Sequence, residues 1–270
     1  MTSAVHLILL LVAILGITFL LIRFIRRSVP REVLRTNNEA AVTYLTVIGV
    51  LYGVFLAFVI FSLWQQRTNA QDHAEAESSQ LYVLFRLARE FPAPQGPELV
   101  QEIMAYNKEI VNLEWPLMAR LDFSKLDPRS SKLDRIWEDS VRFHPASQVE
   151  QALYQRVLEA GERVYVARRM RILDAEASLG SLLWALVILG GIATIVPTLF
   201  IHVEHLGFLV VAKACMVGLL TLTAYTIYDL QRPFRGSRPV EPRPYILIQE
   251  RMEQVLREQG TPSPPAGLTR

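Results

Sequence analysis

Four stretches of the chain contain no Asp, Glu, Lys or Arg, and they constrain the fold more than any other feature. They are residues 4–22, 40–64, 177–203 and 214–228. A helix that crosses the hydrocarbon core of a bilayer needs about 20 apolar residues. The first three stretches meet this requirement, and the fourth meets it when it is extended to about 206–230. The sequence therefore predicts an all-α integral membrane protein with four transmembrane helices.

The remaining residues form one large segment and one tail. We place the transmembrane helices at 4–25, 40–64, 178–201 and 206–230, a helical extramembrane domain at 65–177, and a C-terminal tail at 231–270. The first helix has its basic residues after the apolar stretch and no small-residue cleavage site, so we expect it to be retained.

The extramembrane domain has helical patterning throughout. The second transmembrane helix continues without Gly or Pro as far as "PAPQGP", which predicts one long rod. Ser147 and Glu150 have the spacing of a capping box, so a further helix starts there, and its pattern allows it to continue into the third transmembrane helix. The tail contains one helix-like run, "YILIQERMEQVLREQ", and ends in "GTPSPPAGLTR", which is typical of disorder.

Several classes of function have no support in the sequence. The net charge of +2 predicts no nucleic-acid partner, and the single Cys215 excludes a disulfide within the chain. The cluster of His202, Glu204 and His205 has too few ligands for a metal site. We expect no metal, no cofactor and no catalytic set, and hence not an enzyme.

The arginine distribution bears on membrane orientation. Five arginines lie between the first two apolar stretches, at 23, 26, 27, 31 and 35. Nine flank the domain and the tail, at 67, 163, 168, 169, 171, 232, 235, 238 and 243. The first link taken alone puts the domain outside, whereas the overall count favours a cytoplasmic domain and tail in a bacterial inner membrane. We follow the count.

Several segments in order resemble a known family. They include "NNEAAVTYLTVIGVLYGVFLAFVIFSLW", "YNKEIVNLEWPLM", "RRMRILDAEASLGSLLWALVILGG" and "YDLQRPFRG". Together they resemble the bacterial bestrophin-like domain family of four-span membrane proteins, over about residues 30–250.

The resemblance implies kinship with bestrophins, which are pentameric anion channels. In those channels the second span lines the pore, aromatic and aliphatic rings narrow it, and the domain between spans two and three is cytoplasmic. One position departs from the family pattern, because Gln231 stands where an acidic residue is usual, while Asp229 lies two residues earlier.

The second span carries two stripes at helical spacing. The residues of the first stripe step by four and three, and in a ring of helices they could face an axis, with Phe55 and Phe58 as hydrophobic constrictions. The stripe begins at Tyr44, and Tyr52 is added because it lies near the constriction. The pore-lining candidates are Ile48, Leu51, Tyr52, Phe55, Phe58 and Ser62. The alternative is that these aromatic side chains meet lipid or a neighbouring helix.

The second stripe consists of Gly49, Gly53 and Ala57, which are four residues apart. Small residues at this spacing let two helix backbones approach closely, within or between subunits. Gly190, Gly191 and Pro197 in the third span allow either a similar approach or a kink.

Four charged residues are functional candidates. Lys213 either reaches the membrane surface, pairs with Glu204 or attracts an anion, and Asp229 either pairs with Arg232 or contacts the helical domain. Glu75 and Glu77, together with Asp72, either form a solvated helix face or make an acidic ring that favours cations.

The interpretation that accounts for most of these features is a bestrophin-like ion channel. We expect a homo-oligomer, possibly a pentamer, in a lipid bilayer, with inorganic ions as its cargo and a pore lined by the second span. Two alternatives remain: a subunit of a stator-like ion-driven complex, and a non-conducting membrane scaffold or sensor.

Overall fold

A computed structural model describes residues 2–28, 30–126, 131–201 and 205–260, and no strand occurs in these ranges. The α-helices in chain order are α1 (Thr2–Ser28), α2 (Arg31–Thr36), α3 (Asn38–Ala88), α4 (Gln95–Glu109), α5 (Trp115–Arg120), α6 (Ser131–Val141), α7 (Gln148–Glu176), α8 (Ser181–Phe200), α9 (Leu206–Leu230) and α10 (Arg243–Gly260). The all-helical prediction is confirmed.

The long rod is confirmed, since α3 runs for 51 residues without a break. The helix start predicted from Ser147 and Glu150 is confirmed as well, with Ser147 as the N-cap. Glu150 donates its backbone N–H to Ser147 Oγ over 3.1 Å, and Ala146 donates its backbone N–H to the Glu150 carboxylate over 2.7 Å. These two hydrogen bonds satisfy amides that a helix start would otherwise leave without partners.

Two helices differ from the sequence prediction. The helix expected over residues 97–115 is interrupted by a π-helical turn at Ile110–Glu114 before α5 begins. The helix that starts at Ser147 does not continue into the third apolar stretch, because Ala177 and Gly180 adopt extended backbone between α7 and α8.

Three helical stretches are long and apolar enough to cross a membrane, namely Asn38–Ala88, Gln148–Phe200 and Gly207–Leu230, where the second joins α7 and α8. The helix at the first predicted span is present as α1, but among the described residues it counts only as a shorter apolar helix, Leu11–Ile25. The described residues therefore give three spans by length and composition where the sequence predicted four.

The chain divides into two compact units. Unit 1 comprises residues 1–66 and 178–232, and unit 2 comprises residues 67–177 and 233–270. The core of unit 1 is formed by α3 residues that pack on α8 and α9, among them Tyr52, Leu56 and Val187. The core of unit 2 is larger and includes Phe85, Ile103 and Met118.

From Pro233 onward the tail is part of unit 2, and it contributes to the core of that unit. Phe234, Val240, Tyr245 and Met252 are all buried there. Trp115 packs edge-on against both Phe234 and Tyr245, with ring centroids 5.1 Å and 5.5 Å away. The last part of the sequence, for which we expect disorder, lies mostly outside the described residues.

Candidate functional site: the faces of α3 and the buried charges of unit 2

One face of α3 packs within its own chain. Tyr52, Leu56, Val59 and Leu63 are buried, and they follow one another at helical spacing. Their neighbours come from α8 and α9, where Val187, Ile227 and Leu230 are buried in the same cluster. This packed face gives a reference direction for every other residue of α3 in unit 1.

Tyr52 anchors the packed face. Its hydroxyl donates a hydrogen bond to the backbone carbonyl oxygen of Val187 over 2.5 Å. A Cβ atom added at Gly190 would overlap the Tyr52 ring, and one added at Gly191 would lie 3.3 Å from its hydroxyl oxygen. The close approach that the sequence suggested for these two glycines is therefore present, and it accommodates an aromatic ring.

The aromatic stripe lies on one flank of the packed face. A helix turns by about 100° per residue, so Leu51 is about 100° away from Tyr52. Leu51 and Phe58 are 67% and 70% exposed, and Tyr44 and Ser62 are exposed too. Ile48 and Phe55 are half-buried because they lie nearer to the packed face. Tyr52 itself belongs to the packed face, although its ring stacks on that of Phe55 with centroids 6.3 Å apart.

The stripe of small residues lies on the opposite flank. Gly53 is about 100° from Tyr52 in the other direction, so the two stripes are about 180° apart around the axis of α3. Cβ atoms added at Gly49 or Gly53 would have no described heavy atom within 4 Å, and Ala57 is exposed. No described helix of the same chain uses this flank, so its packing against another subunit stays a prediction.

A fourth face of α3 points away from the packed face, and sequence reasoning missed it. Val47, Val50, Val54 and Phe61 lie about 160–220° from Tyr52, and all four are exposed. The signal was present, because these residues step by three, four and seven. It could not be separated from the other stripes until the packed face was known.

The three acidic candidates of α3 in unit 2 differ in their exposure to solvent. Asp72 and Glu75 are exposed, and the Glu75 carboxylate accepts a hydrogen bond from Gln71 Nε2 over 3.1 Å. Glu77 is fully buried, with 0% of its surface exposed. The solvated face or ring expected from the sequence therefore does not include Glu77, because α3 turns that position into the core of unit 2.

Glu77 belongs to a network of four buried charges. Arg171 Nε donates to Glu77 Oε2 over 2.6 Å, and Arg171 Nη2 donates to Glu114 Oε2 over 2.6 Å. Arg168 donates to Glu114 Oε1 from both Nε and Nη2, over 3.0 Å and 2.7 Å. Two carboxylates and two guanidiniums balance in charge, and this balance makes their burial tolerable.

Two tyrosines complete the network. Tyr106 donates its hydroxyl to Glu77 Oε1 over 2.8 Å, and Tyr245 donates to Glu77 Oε2 over 2.9 Å. The Arg171 guanidinium also lies over the rings of Trp115 and Tyr245, 5.6 Å and 5.8 Å from the centroids. Residues from α3, α4, α5, α7 and the tail are thus tied to one polar centre.

The pKa values of this centre follow from burial and charge together. Burial opposes ionisation of Glu114, but the charges of Arg171 and Arg168 outweigh it and lower the pKa of that carboxyl. Burial, reinforced by the charge of Glu77, raises the pKa of both tyrosines well above the ordinary value. These shifts favour an ionised Glu114 and protonated tyrosines, which suits a structural role better than proton transfer.

The network also changes the interpretation of two arginines. Arg168 and Arg171 were counted among the charges that flank the membrane, but both side chains are buried in the core of unit 2. Trp115, which follows Glu114, is buried too, and its indole Nε1 donates to the Val240 carbonyl over 3.1 Å.

The charged candidates of α9 lie in unit 1. Lys213 is 6% exposed and its amine is buried, whereas a side chain that reaches the membrane surface exposes its amine. Asp229 is half-buried, and the guanidinium of Arg232 lies over the ring of Tyr228, 5.5 Å from the centroid. His202 and Glu204 lie outside the described residues.

Gln231, the position that departs from the family pattern, is buried. Its side-chain oxygen accepts a hydrogen bond from Trp184 Nε1 over 3.1 Å. An amide therefore links α8 to the end of α9 where the pattern has an acid. Within the described ranges, no group of three or more His, Cys, Asp or Glu side chains is placed to hold a metal ion.

Comparison with known proteins agrees with this architecture. The family described as Bestrophin-like domain matches residues 12–245. Because the match covers most of the chain, the protein is a membrane protein of the Bestrophin-like family. No curated protein sequence gives a significant match.

Solved structures of a bacterial bestrophin homologue from Klebsiella pneumoniae share the fold. One single-residue variant superimposes with a TM-score of 0.63 at 15% identity, covering 94% of this chain and 98% of that one. A second variant gives 0.60 at 16% identity, with 93% and 99% covered. At this identity the likeness concerns the fold alone.

Proposed function

We propose that the protein is a homo-oligomeric ion channel whose pore is lined by α3. Bestrophins are ion channels, and this chain shares their family and fold. The observation that carries the proposal is that, among the described residues, the buried side chains of α3 in unit 1 all lie on one face. The other sides of a 51-residue helix are left for lipid, neighbouring subunits or a pore.

The packed face sets the direction of the pore. In a closed ring of subunits, a helix that packs outward on its own α8 and α9 turns its opposite side to the axis. That side carries Val47, Val50, Val54 and Phe61. Rings of such side chains would form a hydrophobic constriction of the kind that gates by dewetting. The proposed pore-lining residues therefore differ from the set predicted from the sequence. Leu51 and Phe55 lie on a flank of α3, and Phe58 lies at the border between that flank and the side that faces the axis.

The two flanks suit contacts between neighbouring copies. In a cyclic oligomer each contact is heterologous, so one flank of a subunit meets the other flank of the next. On α3 the flank with Leu51 and Phe55 is bulky, whereas the flank with Gly49 and Gly53 is open. Bulky side chains of one copy would fill the space over the glycines of the next, which accounts for both stripes.

Asp72 is the exposed acid that would face the axis in unit 2. There α3 packs through Ala70, Ala74 and Leu81, and Asp72 lies on the opposite side of the helix. One carboxylate per subunit would form a ring that favours cations over anions. Glu75 would lie beside this ring, and Glu77 would stay in the core.

Three further features complete the proposal. We assign α1 as a fourth span because its 27 residues exceed the number needed to cross a bilayer. Unit 2 and the tail are assigned to the cytoplasm of a bacterium on the arginine count, which stays seven against five without the buried Arg168 and Arg171, and the protein to the inner membrane. A pentamer is the expected oligomer by analogy with bestrophins.

The test is ion flux through purified protein in planar bilayers under a salt gradient. The channel proposal expects a conductance that Val54→Ala changes. It also expects an oligomer in which the α3 helices of all subunits surround the symmetry axis. A folded oligomer without flux at any voltage would favour the scaffold. Co-purification with a partner that carries an intramembrane acid would favour the stator-like complex.

A further inference from the structure

Unit 2 contains an open cavity of about 620 Å³ between α3 and the tail. Its walls come from α3 between Arg67 and Ser79, and from the segment between Pro239 and Ile248. This volume lies in the range of sites that bind small molecules. The cavity lies outside the α3 face proposed to line a pore and contains no member of the buried charge network.

The lining combines two cations and two anions. Arg67 and Glu75 come from α3, and Glu241 and Arg243 come from the tail. Within the described part of the chain neither guanidinium belongs to an ion pair. Two arginines suit a phosphate, because a guanidinium presents parallel N–H donors to its oxygens. Two carboxylates oppose a simple anion and suit a ligand that also carries an ammonium group.

The rest of the lining is apolar. Ala74, Val240, Leu247 and Ile248 contribute aliphatic surface beside the charged groups. A ligand with a charged head and a hydrocarbon portion matches this division.

The position of Arg67 relates the cavity to the membrane. Trp64 ends the apolar stretch of α3 and is exposed, as is typical of the aromatic belt at a membrane surface. Arg67 follows three residues later, about 4.5 Å further along the helix. In a bilayer whose surface lies at Trp64, this spacing would bring the guanidinium to the level of the phospholipid headgroups.

We propose that this cavity binds a zwitterionic phosphate ester of the phosphoethanolamine type. The phosphate lies between Arg67 and Arg243, and the ammonium group lies against Glu75 and Glu241. The same chemistry occurs in a lipid headgroup and in the free, soluble ester. Because α3 and the tail each supply half of the charges, an occupied cavity also holds the tail against α3.

The test is calorimetric titration of the purified full-length protein with glycerophosphoethanolamine and with glycerophosphate. We expect the zwitterion to bind at least about tenfold more tightly than the anion, and Arg67→Gln or Arg243→Gln to weaken it by about tenfold or more. Glu241→Gln should reduce the preference for the zwitterion. Arg86→Gln is the matched control, since Arg86 is an exposed arginine of α3 that does not line the cavity.

A second arm separates the two sources of the ligand. Native mass spectrometry of protein taken from phosphatidylethanolamine bilayers should show retained lipid that Arg243→Gln removes if the lipid is the ligand. Binding of the soluble ester without lipid retention assigns the free compound. The proposal would be overturned if neither ester binding nor lipid retention occurred. It would also be overturned if glycerophosphate bound as tightly as glycerophosphoethanolamine, or if Arg86→Gln weakened binding as much as Arg67→Gln or Arg243→Gln. None of these readouts depends on ion flux, so a failed channel proposal leaves this one standing.

Discussion

Arg171 Nε donates to Glu77 Oε2 over 2.6 Å, although the two residues lie 94 positions apart in the chain and neither exposes any surface. The contact joins α3 to α7 in the core of unit 2. Because Arg171 also donates to Glu114, one guanidinium bridges the two buried carboxylates.

Replacing this guanidinium should destabilise unit 2 strongly. Arg171→Met keeps most of the side-chain volume but leaves Glu77 without its cation, and removing one partner of a buried ion pair costs about 3–5 kcal/mol. We expect a large fall in the thermal midpoint of the purified protein. Arg169→Met is the control, since Arg169 is an exposed neighbour on the same helix and should change the midpoint little. Equal midpoints for the two variants would contradict the structural role of the network.

The tail should contribute to stability through a single hydroxyl. Tyr245→Phe removes one of the two donors to Glu77 Oε2, the other being Arg171 Nε, and leaves the ring in place. The cost is that of one hydrogen bond to a charged group, about 1.5–3 kcal/mol. Limited proteolysis of the tail should become faster as well. Tyr165→Phe, at an exposed tyrosine of α7, should leave both the stability and the proteolysis rate unchanged.

The packing of Tyr52 should make Gly190 intolerant of a side chain. The methyl group of Gly190→Ala would overlap the Tyr52 ring, and such overpacking costs about 1–3 kcal/mol. Gly218→Ala on α9 meets nothing within 4 Å in the described structure and should be neutral or slightly stabilising. Thermal unfolding of the two variants in the same detergent compares them directly, and a tolerated Gly190→Ala would mean that α3 and α8 are further apart.

Glu102 should make the stability of unit 2 depend on pH. Burial raises the pKa of Glu102 to about 7. The nearby Asp139, with which it shares a hydrogen bond, and Glu98 act in the same direction, whereas Arg135 opposes them. Between the ordinary value and about 7 the folded protein binds more protons than the unfolded chain, so stability falls as pH rises through this interval. Above it the effect is constant.

Glu102→Gln should flatten this dependence. Between about pH 5 and pH 7, the thermal midpoint of the wild type should fall more steeply than that of the variant. The pKa of about 7 sets the upper end of this interval. Glu90→Gln, at an exposed position after α3, should keep the wild-type slope. If the Glu102 variant keeps the full slope, another group is responsible.

Local patterns predicted much of the fold. The continuity of α3 and the start of α7 at Ser147 depend on residues within a turn or two, so helical spacing and capping chemistry were sufficient. The end of α7 at Glu176 was harder, because the residues that break the helix are few and weak.

The buried charges could not be predicted in the same way. Glu77 and Glu75 are two residues apart on one polar segment, and nothing local shows that one is exposed and the other buried. The difference depends on Arg171 and Tyr245, which lie 94 and 168 positions away. The faces of α3 posed the same problem, because the spacing gave several stripes and only contacts with α8 and α9, such as that of Tyr52 with Val187, show which one is packed.

The most direct test of the account is thiol accessibility along α3 during ion flux. In a background where Cys215 is replaced by Ser, Val54→Cys and Phe55→Cys are compared, since these neighbours point about 100° apart. The account predicts that a charged thiol reagent blocks the flux through Val54→Cys and leaves that through Phe55→Cys nearly unchanged. Block at Phe55→Cys with Val54→Cys unaffected would contradict it, and would mean that the aromatic flank faces the pore.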